Sequence, residues 1–467
     1  MPENPLVDLP GGTLFVRRWF PARRAATVGA PLLLLHDSLG SVAQWRDFPQ
    51  ALADQSDRPV IAYDRLGFGQ SSPRTGRPSL RFIEEEAEVV FPRLREALGL
   101  ARVALLGHSV GGAMALATAA RHPDAVEAVI SIAAQAFVEA RTLDGIRAAQ
   151  LQFADPVQRA RLERWHTEGR ADWVLDAWMG VWLDPDRAGW TLDTSLVRVQ
   201  CPVLVIHGDR DEYGSTAFPQ RIAARVRAPV DLHILEDTGH VPQRERPTKV
   251  LRLCTDFLRR TRVRAALLRA WTGVGARSGG QAEVDAILVA WSEPHRHYHT
   301  LQHLAECLDW MARPEVRALA THPHEIVLAL GFHDVVYDVH RSDSEQRSAE
   351  LAAQVLGDAG VSPEAVDRIV TLVLDTRHDA AATTPDGALL VDIDLSILGA
   401  DADRFAEYDA QIRAEYTHVP EADYRAGRGR VLQRFLERAT VFSTTGFRTR
   451  LEALARANLR AAIRALQ

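Results

Sequence analysis

The chain has 467 residues, 46% hydrophobic and 25% charged, a length that asks for two or three cores and a composition that excludes disorder. Its formal charge of −6, with arginines spread among the acids rather than gathered in a stripe, leaves nucleic acid an unexpected partner. Three distant cysteines, Cys201, Cys254 and Cys307, exclude a disulfide framework and a thiolate zinc site and fit a reducing cytoplasm; neither a signal peptide nor a membrane span is expected.

Up to about residue 262, short apolar runs alternate with longer amphipathic stretches, the pattern of a mostly parallel sheet covered by helices. Expected strands include Pro31 to Leu35, Pro59 to Tyr63, Arg102 to Leu106, Val126 to Ile132, Val203 to Ile206 and Leu232 to Leu235. Between about 137 and 200 the alternation lapses into helical segments carrying Trp165, Trp173, Trp178, Trp182 and Trp190. This reads as a cap over the sheet, its rings either forming the cap's own small core or lining an apolar pocket. From residue 263 helical patterns follow one another to the end: Val263 to Trp271, Val284 to Trp291, His303 to Met311, Glu325 to Leu330, Ser344 to Leu356 and Pro363 to Leu374. Residues 263–467 therefore read as an all-α second domain behind an α/β first domain, 1–262.

Within the first domain an apolar strand runs into Gly107-His108-Ser109-Val110-Gly111 and then an Ala-rich helix. That context makes Ser109 a nucleophile: the glycines permit a sharp turn that exposes its hydroxyl, and the helix aims its N-terminal dipole at charge developing there. A base and an orienting acid should follow in the order acid, then histidine. His240 follows one expected strand, and Asp209, Asp211 and Glu212 follow another. The amide of Val110 should supply one oxyanion donor; the loop His36-Asp37-Ser38-Leu39-Gly40 should supply the other, with Ser38 the candidate.

On these residues the first domain resembles the α/β-hydrolase family. HDSLG at 36–40 resembles its H-G-x-x-G loop, Asp64 to Ser71 its D-x-x-G-x-G-x-S segment, and Gly239-His240 with Glu245 and Pro247 its histidine loop. The resemblance implies the triad Ser109, Asp211, His240, Asp211 being chosen by the family's G-x-x-D pattern, and serine-dependent hydrolysis of a small ester or related acyl compound without a cofactor. Asp37 stands where the family has glycine, and a carboxylate beside the oxyanion site would oppose negative charge.

In the second domain histidines cluster at His295, His297, His299 and His303, followed by Phe332-His333-Asp334 and an acidic strip, Asp392-Ile393-Asp394. His299 and His303 share a face if their segment is helical, and an adjacent His-Asp pair offers an imidazole and a carboxylate to one cation. This half resembles the HD phosphohydrolase superfamily, whose ligands run H…HD…D. His303, His333, Asp334 and Asp394 match that order, and RHYHTLQHL with FHDVVYD looks like its predicted metal-dependent members. Tyr298 to His303 is similar to the Y-H-N-x-x-H segment of cyclic-nucleotide phosphodiesterases, which makes His299 a candidate general acid.

The resemblance implies one or two divalent ions (Mn, Fe, Ni, Co, Zn or Mg) and a phosphorylated small molecule or nucleotide as substrate. His378 and Asp392 are additional candidates at the site, and Arg296, Arg341 and Arg347 are candidate phosphate contacts. Together the two halves read as a bifunctional hydrolase. The alternative is a serine hydrolase regulated by a non-catalytic second domain that binds a nucleotide or phosphorylated metabolite.

Overall fold

The computed structural model describes residues 4–22, 29–277 and 279–467. The chain divides into two compact units, the first ending at Leu258 and the second running from Arg259 to Gln467. No helix among the described residues is long and apolar enough to cross a membrane.

In the first unit β1 (Leu6–Leu9), β2 (Gly12–Trp19), β3 (Leu32–Leu35), β4 (Val60–Tyr63), β5 (Val103–His108), β6 (Val126–Ile132), β7 (Val203–Gly208) and β8 (Val230–Leu235) form one sheet. Their order is β1-β2-β4-β3-β5-β6-β7-β8. From β4 to β8 every pairing is parallel, while β1 and β2 form an antiparallel hairpin whose second strand joins β4. The middle strands are buried on both faces, which is why they read as unbroken apolar runs. Leu33, Leu35 and Leu105 enter the core on one face, and Leu32, Leu34 and Leu106 enter the core on the other.

Helix α1 (Val110–Arg121) follows β5 directly. The cap carries α2 (Ala140–Gln152), α3 (Pro156–Glu163) and α4 (Ala171–Trp182). Its tryptophans divide between two roles. Trp182 and Trp190 pack edge to face around the buried Arg187 guanidinium, which also lies over Phe82 and donates to the Leu80 carbonyl, so these rings seat the cap on the residues beneath it. Trp178 instead packs on Tyr213, 5.7 Å between centroids, and Tyr213 lies edge-on to His240 at 4.9 Å.

The second unit has no strand among its described residues. The helices that carry its polar centre are α5 (Leu301–Ala312), α6 (Pro323–Phe332), α7 (Pro385–Asp394), α8 (Ala402–Glu415), α9 (Glu421–Glu437) and α10 (Thr445–Leu466). Thr384 caps α7 ahead of a proline at its first turn. Leu389, Leu390 and Ile393 then anchor it in the core, each such side chain contributing about 1.5–3 kcal/mol of burial. This fixes the rotation of α7 and with it the direction of Asp394.

Candidate functional sites

Strand β5 runs two residues past its expected end, through Gly107 and His108, and turns into α1 at Ser109, whose φ is 55°. A side chain there is strained, as nucleophile elbows require. A Cβ on Gly107 would sit 2.0 Å from the Gly111 carbonyl oxygen, and one on Gly111 would sit 2.1 Å from that of Leu35. Glycine is therefore obligatory at both positions, and the loop carrying Ser38 is brought against the turn that starts at Val110.

His240 Nε2 lies 3.0 Å from Ser109 Oγ, and its Nδ1 lies 2.8 Å from Asp211 Oδ2. The carboxylate can only accept, so Nδ1 carries the proton and Nε2 is left to accept one from the serine. Asp211 Oδ1 accepts the Tyr213 and Gly214 amides at 2.7 and 3.1 Å. Asp209, one of the competing carboxylates, takes the Thr238 amide instead. Glu245 accepts the amides of Gly239 and Val241, at 2.6 and 3.0 Å, and so fixes the backbone on both sides of His240. Burial pulls the His240 pKa down, but Asp211 outweighs it and the net direction is upward.

Both oxygens of Asp37 are engaged: Oδ1 accepts the Leu39 amide at 2.8 Å and Oδ2 faces His108 Nδ1 at 3.2 Å. Burial would raise its pKa, yet the His108 bond holds it well below the usual carboxylate range. His108 Nε2 in turn donates to the His240 carbonyl at 2.7 Å, so the pair buttresses the histidine loop.

One residue at Ser109 has no signal in the sequence. Gln135, 6% exposed, donates from Nε2 to Ser109 Oγ at 3.1 Å, while its Oε1 is buried without a hydrogen-bond partner. The amide holds the serine oxygen in place and leaves an acceptor beside it. Gln135→Ala should lower kcat/KM on an activated ester about 10-fold, the worth of one neutral hydrogen bond at the reacting atom, with an unchanged Tm.

In the second unit His303 and His333, 2% and 1% exposed, come from α5 and the end of α6, and Asp394 from the end of α7. Their ligand atoms lie within 4.8 Å of one another. Asp394 Oδ1 is 3.1 Å from His303 Nε2 and 3.6 Å from His333 Nε2; Asp334 Oδ2 is 3.1 Å from His333 Nε2. His333 Nδ1 donates to the Leu330 carbonyl at 2.8 Å, which puts the Nε2 lone pair on the cluster side, and His303 Nδ1 is held by Tyr298 OH at 2.9 Å. Two carboxylates converging on two oriented imidazoles in a buried site fit a divalent cation.

His378, from the loop after Asp375, joins this cluster: its Nε2 is 3.1 Å from Asp394 Oδ2, its φ is 57°, and its buried Nδ1 has no partner. His299 reaches the site by a different route from the expected one. Helix α5 begins only at Leu301, with Thr300 as its cap, so His299 and His303 share no helical face. Glu415 holds His299 instead, accepting the amides of His297, Tyr298 and His299, the His299 Nδ1 proton and the Tyr337 hydroxyl. Burial would raise the Glu415 pKa, but the His299 bond brings it down to about 2. The His299 ring stacks on Tyr337 and points Nε2 at Asp334 Oδ2, 4.0 Å away.

Two other expectations are corrected. Asp392 is not at the cluster: it lies two residues before Asp394, about 200° round a helix. It is fully buried and accepts the Ser443 and Thr444 amides at 2.7 and 2.6 Å, seating the start of α10. Asp392→Ala should cost about 1–3 kcal/mol of stability, read in urea unfolding, by stranding both amides. Arg296 does not face the cavity either; it is buried and donates to the Asp334 and Val335 carbonyls, bracing the His-Asp turn. Arg341 is exposed and paired with Asp343, and Arg347 is exposed.

Residues 30–155 match the family described as alpha/beta hydrolase fold, and residues 95–262 match the prolyl oligopeptidase family. The chain is 32% identical over 268 residues to the dihydrolipoyllysine-residue acetyltransferase component of the acetoin cleaving system of Pseudomonas putida, covering 54% of this chain and 68% of that protein. It is 40% identical over 91 residues to a proline iminopeptidase of Lactobacillus delbrueckii subsp. lactis, 20% of this chain but only 31% of that enzyme's length. Among solved structures, a proline iminopeptidase of Mycobacterium smegmatis matches with a TM-score of 0.43 at 23% identity, covering 56% of this chain and 99% of that one. An enol-lactonase of Burkholderia xenovorans LB400 matches with a TM-score of 0.43 at 21% identity, covering 54% and 99%.

Proposed function

Because this chain belongs, through its first unit, to the α/β-hydrolase fold family, we propose that it is a bifunctional hydrolase, cleaving a small ester or related acyl compound at Ser109 and a phosphate ester at the His303, His333, Asp334, Asp394 centre. The hydrogen-bonded relay from Asp211 through His240 to Ser109 carries the first assignment. Ser109 Oγ attacks the acyl carbon while His240 takes its proton. The Val110 and Ser38 amides receive the oxyanion, and His240 returns the proton to the leaving group. Water then attacks the acyl-serine with His240 again as base, releasing the acid and restoring Ser109. Tyr213, backed by Trp178, offers an apolar wall beside His240, which suits a small acyl group.

The convergence of His303, His333 and Asp394, with Asp334 beside His333, supports the second assignment. A divalent ion of the Mn, Fe, Ni, Co, Zn or Mg type, one or two per site, would supply Lewis acidity to a phosphoryl oxygen and to attacking water. His299, with Nδ1 committed to Glu415, presents Nε2 as the proton donor to the leaving oxygen. His378 extends the centre on the far oxygen of Asp394.

The test is a pair of assays on one preparation, p-nitrophenyl acetate and p-nitrophenyl phosphate, across wild type, Ser109→Ala and His303→Ala. Each variant should lose one activity and keep the other. Ester turnover surviving in Ser109→Ala, or phosphate turnover equal in wild type and His303→Ala, would overturn the corresponding half.

A further inference from the structure

Asp394 brings the His-Asp centre to the wall of a cavity of about 1580 Å³, several times what a single phosphate group needs. His299 and His378 line it beside Asp394, and much of the rest of its wall is α9. This wall is rich in arginine, and its arginines are not equivalent. Arg377 is paired with Asp379, Arg425 with Glu421, and Arg428 with Asp409. Arg430, Arg434 and Arg438 have no carboxylate partner among the described residues. They recur at every fourth position, so they form a stripe along one side of α9 and its end, spanning about 12 Å at the helical rise. Asp423 and Glu437 also reach the wall, and neither is paired with the stripe.

The stripe is tied to the centre at its near end. Arg438 donates to the His378 carbonyl at 3.1 Å, and the same histidine's ring meets Asp394. An anion held at the centre is thus within reach of Arg438, and one held further along the wall meets Arg434 and then Arg430. Three guanidiniums left without counter-charges along one wall keep their donors free for an anion and suit bidentate recognition of phosphate.

We propose that the second unit binds a ligand with at least two phosphate groups, the first at the His-Asp centre and the second on the Arg430, Arg434, Arg438 stripe. The shared chemistry is a polyanionic phosphate ester, whether a nucleoside polyphosphate or a sugar bisphosphate. This rests on the phosphate-ester reading of the centre and names its substrate class.

The experiment is calorimetric titration of the full chain, chelator-treated and then reconstituted with Mn, with inorganic tripolyphosphate and with orthophosphate, comparing wild type with Arg430→Gln/Arg434→Gln. Both residues are exposed, so their loss leaves the core intact. Wild type should bind tripolyphosphate at least 10-fold more tightly than orthophosphate, and the double variant should lose that preference while keeping its orthophosphate affinity. Parallel titrations with a nucleoside diphosphate and with a sugar bisphosphate separate the two sources by which retains the arginine dependence.

Equal tripolyphosphate affinity in wild type and double variant, or no preference over orthophosphate in wild type, overturns the proposal. Repeating the titration on metal-free Asp394→Asn keeps the two readings apart. Arginine-dependent tripolyphosphate binding there, in a chain whose wild type takes up no metal, leaves the stripe standing and sinks the phosphohydrolase centre. Metal uptake with no arginine dependence does the reverse.

Discussion

Asp211→Asn should lower ester turnover by about 10⁴-fold and move the acid limb of its pH profile downward. His240 must be neutral to accept the Ser109 proton. Its pKa is pulled down by burial and raised, on balance, by Asp211, so activity is full above this raised value and falls as pH drops through it. In wild type the limb should therefore lie above the ordinary imidazole value of about 6.5. With asparagine the largest raising charge is gone, only Glu212 and Asp37 still oppose burial, and the limb should move downward. The residual rate is small because the amide can donate to Nδ1 and stabilise the wrong tautomer. A kcat/KM profile on p-nitrophenyl acetate from pH 5 to pH 9 reads both effects. A variant whose limb stays put would mean that Asp211 is a loop anchor through Tyr213 and Gly214 and not the orienting acid. Ser109→Ala sets the floor, on the order of 10⁴ to 10⁶ below wild type.

What the sequence reveals of this molecule follows the range over which its signals act. The strands from β3 onward are legible because a strand buried on both faces must be apolar throughout, as Leu32 to Leu35 is. The β1–β2 hairpin escapes because it sits at the edge of the sheet and carries Arg17 and Arg18 among its apolar residues. The elbow is legible because its glycines are demanded by backbone approach, a constraint confined to a few residues. Gln135 and Glu415 are not legible, since neither has a motif and each acts across the fold, Glu415 on a loop 116 residues earlier in sequence. His378 could be noticed only as one of three His-Asp dipeptides, beside His36-Asp37 and His333-Asp334. Asp392 misleads because the run Asp-Ile-Asp looks like one acidic strip in sequence, while helix geometry sends its two carboxylates in opposite directions.

That last contrast supplies the sharpest test of the second unit. Asp394→Asn should abolish stoichiometric metal binding, whereas Asp392→Asn, two residues away, should lose stability and keep the metal. Asp394 faces three imidazoles, with Oδ1 toward His303 and His333 and Oδ2 on His378. Outer partners of metal ligands typically contribute about 10- to 100-fold in affinity, so a carboxylate at the convergence point should contribute more than about 100-fold. Metal content by plasma mass spectrometry on protein purified without chelators gives the first reading. Thermal unfolding gives the second: an ion at 1,000 times its Kd stabilises the folded state by about 4 kcal/mol, so chelation should lower the wild-type Tm and leave Asp394→Asn unmoved. Asp392→Asn should start from a lower Tm and still respond to chelation, because its two amide bonds hold α10 and not the cation. If Asp394→Asn retains metal, the ion is held elsewhere and the His-Asp centre is a buried ion-pair network; if both variants lose it, the start of α10 is coupled to the centre more tightly than these hydrogen bonds provide.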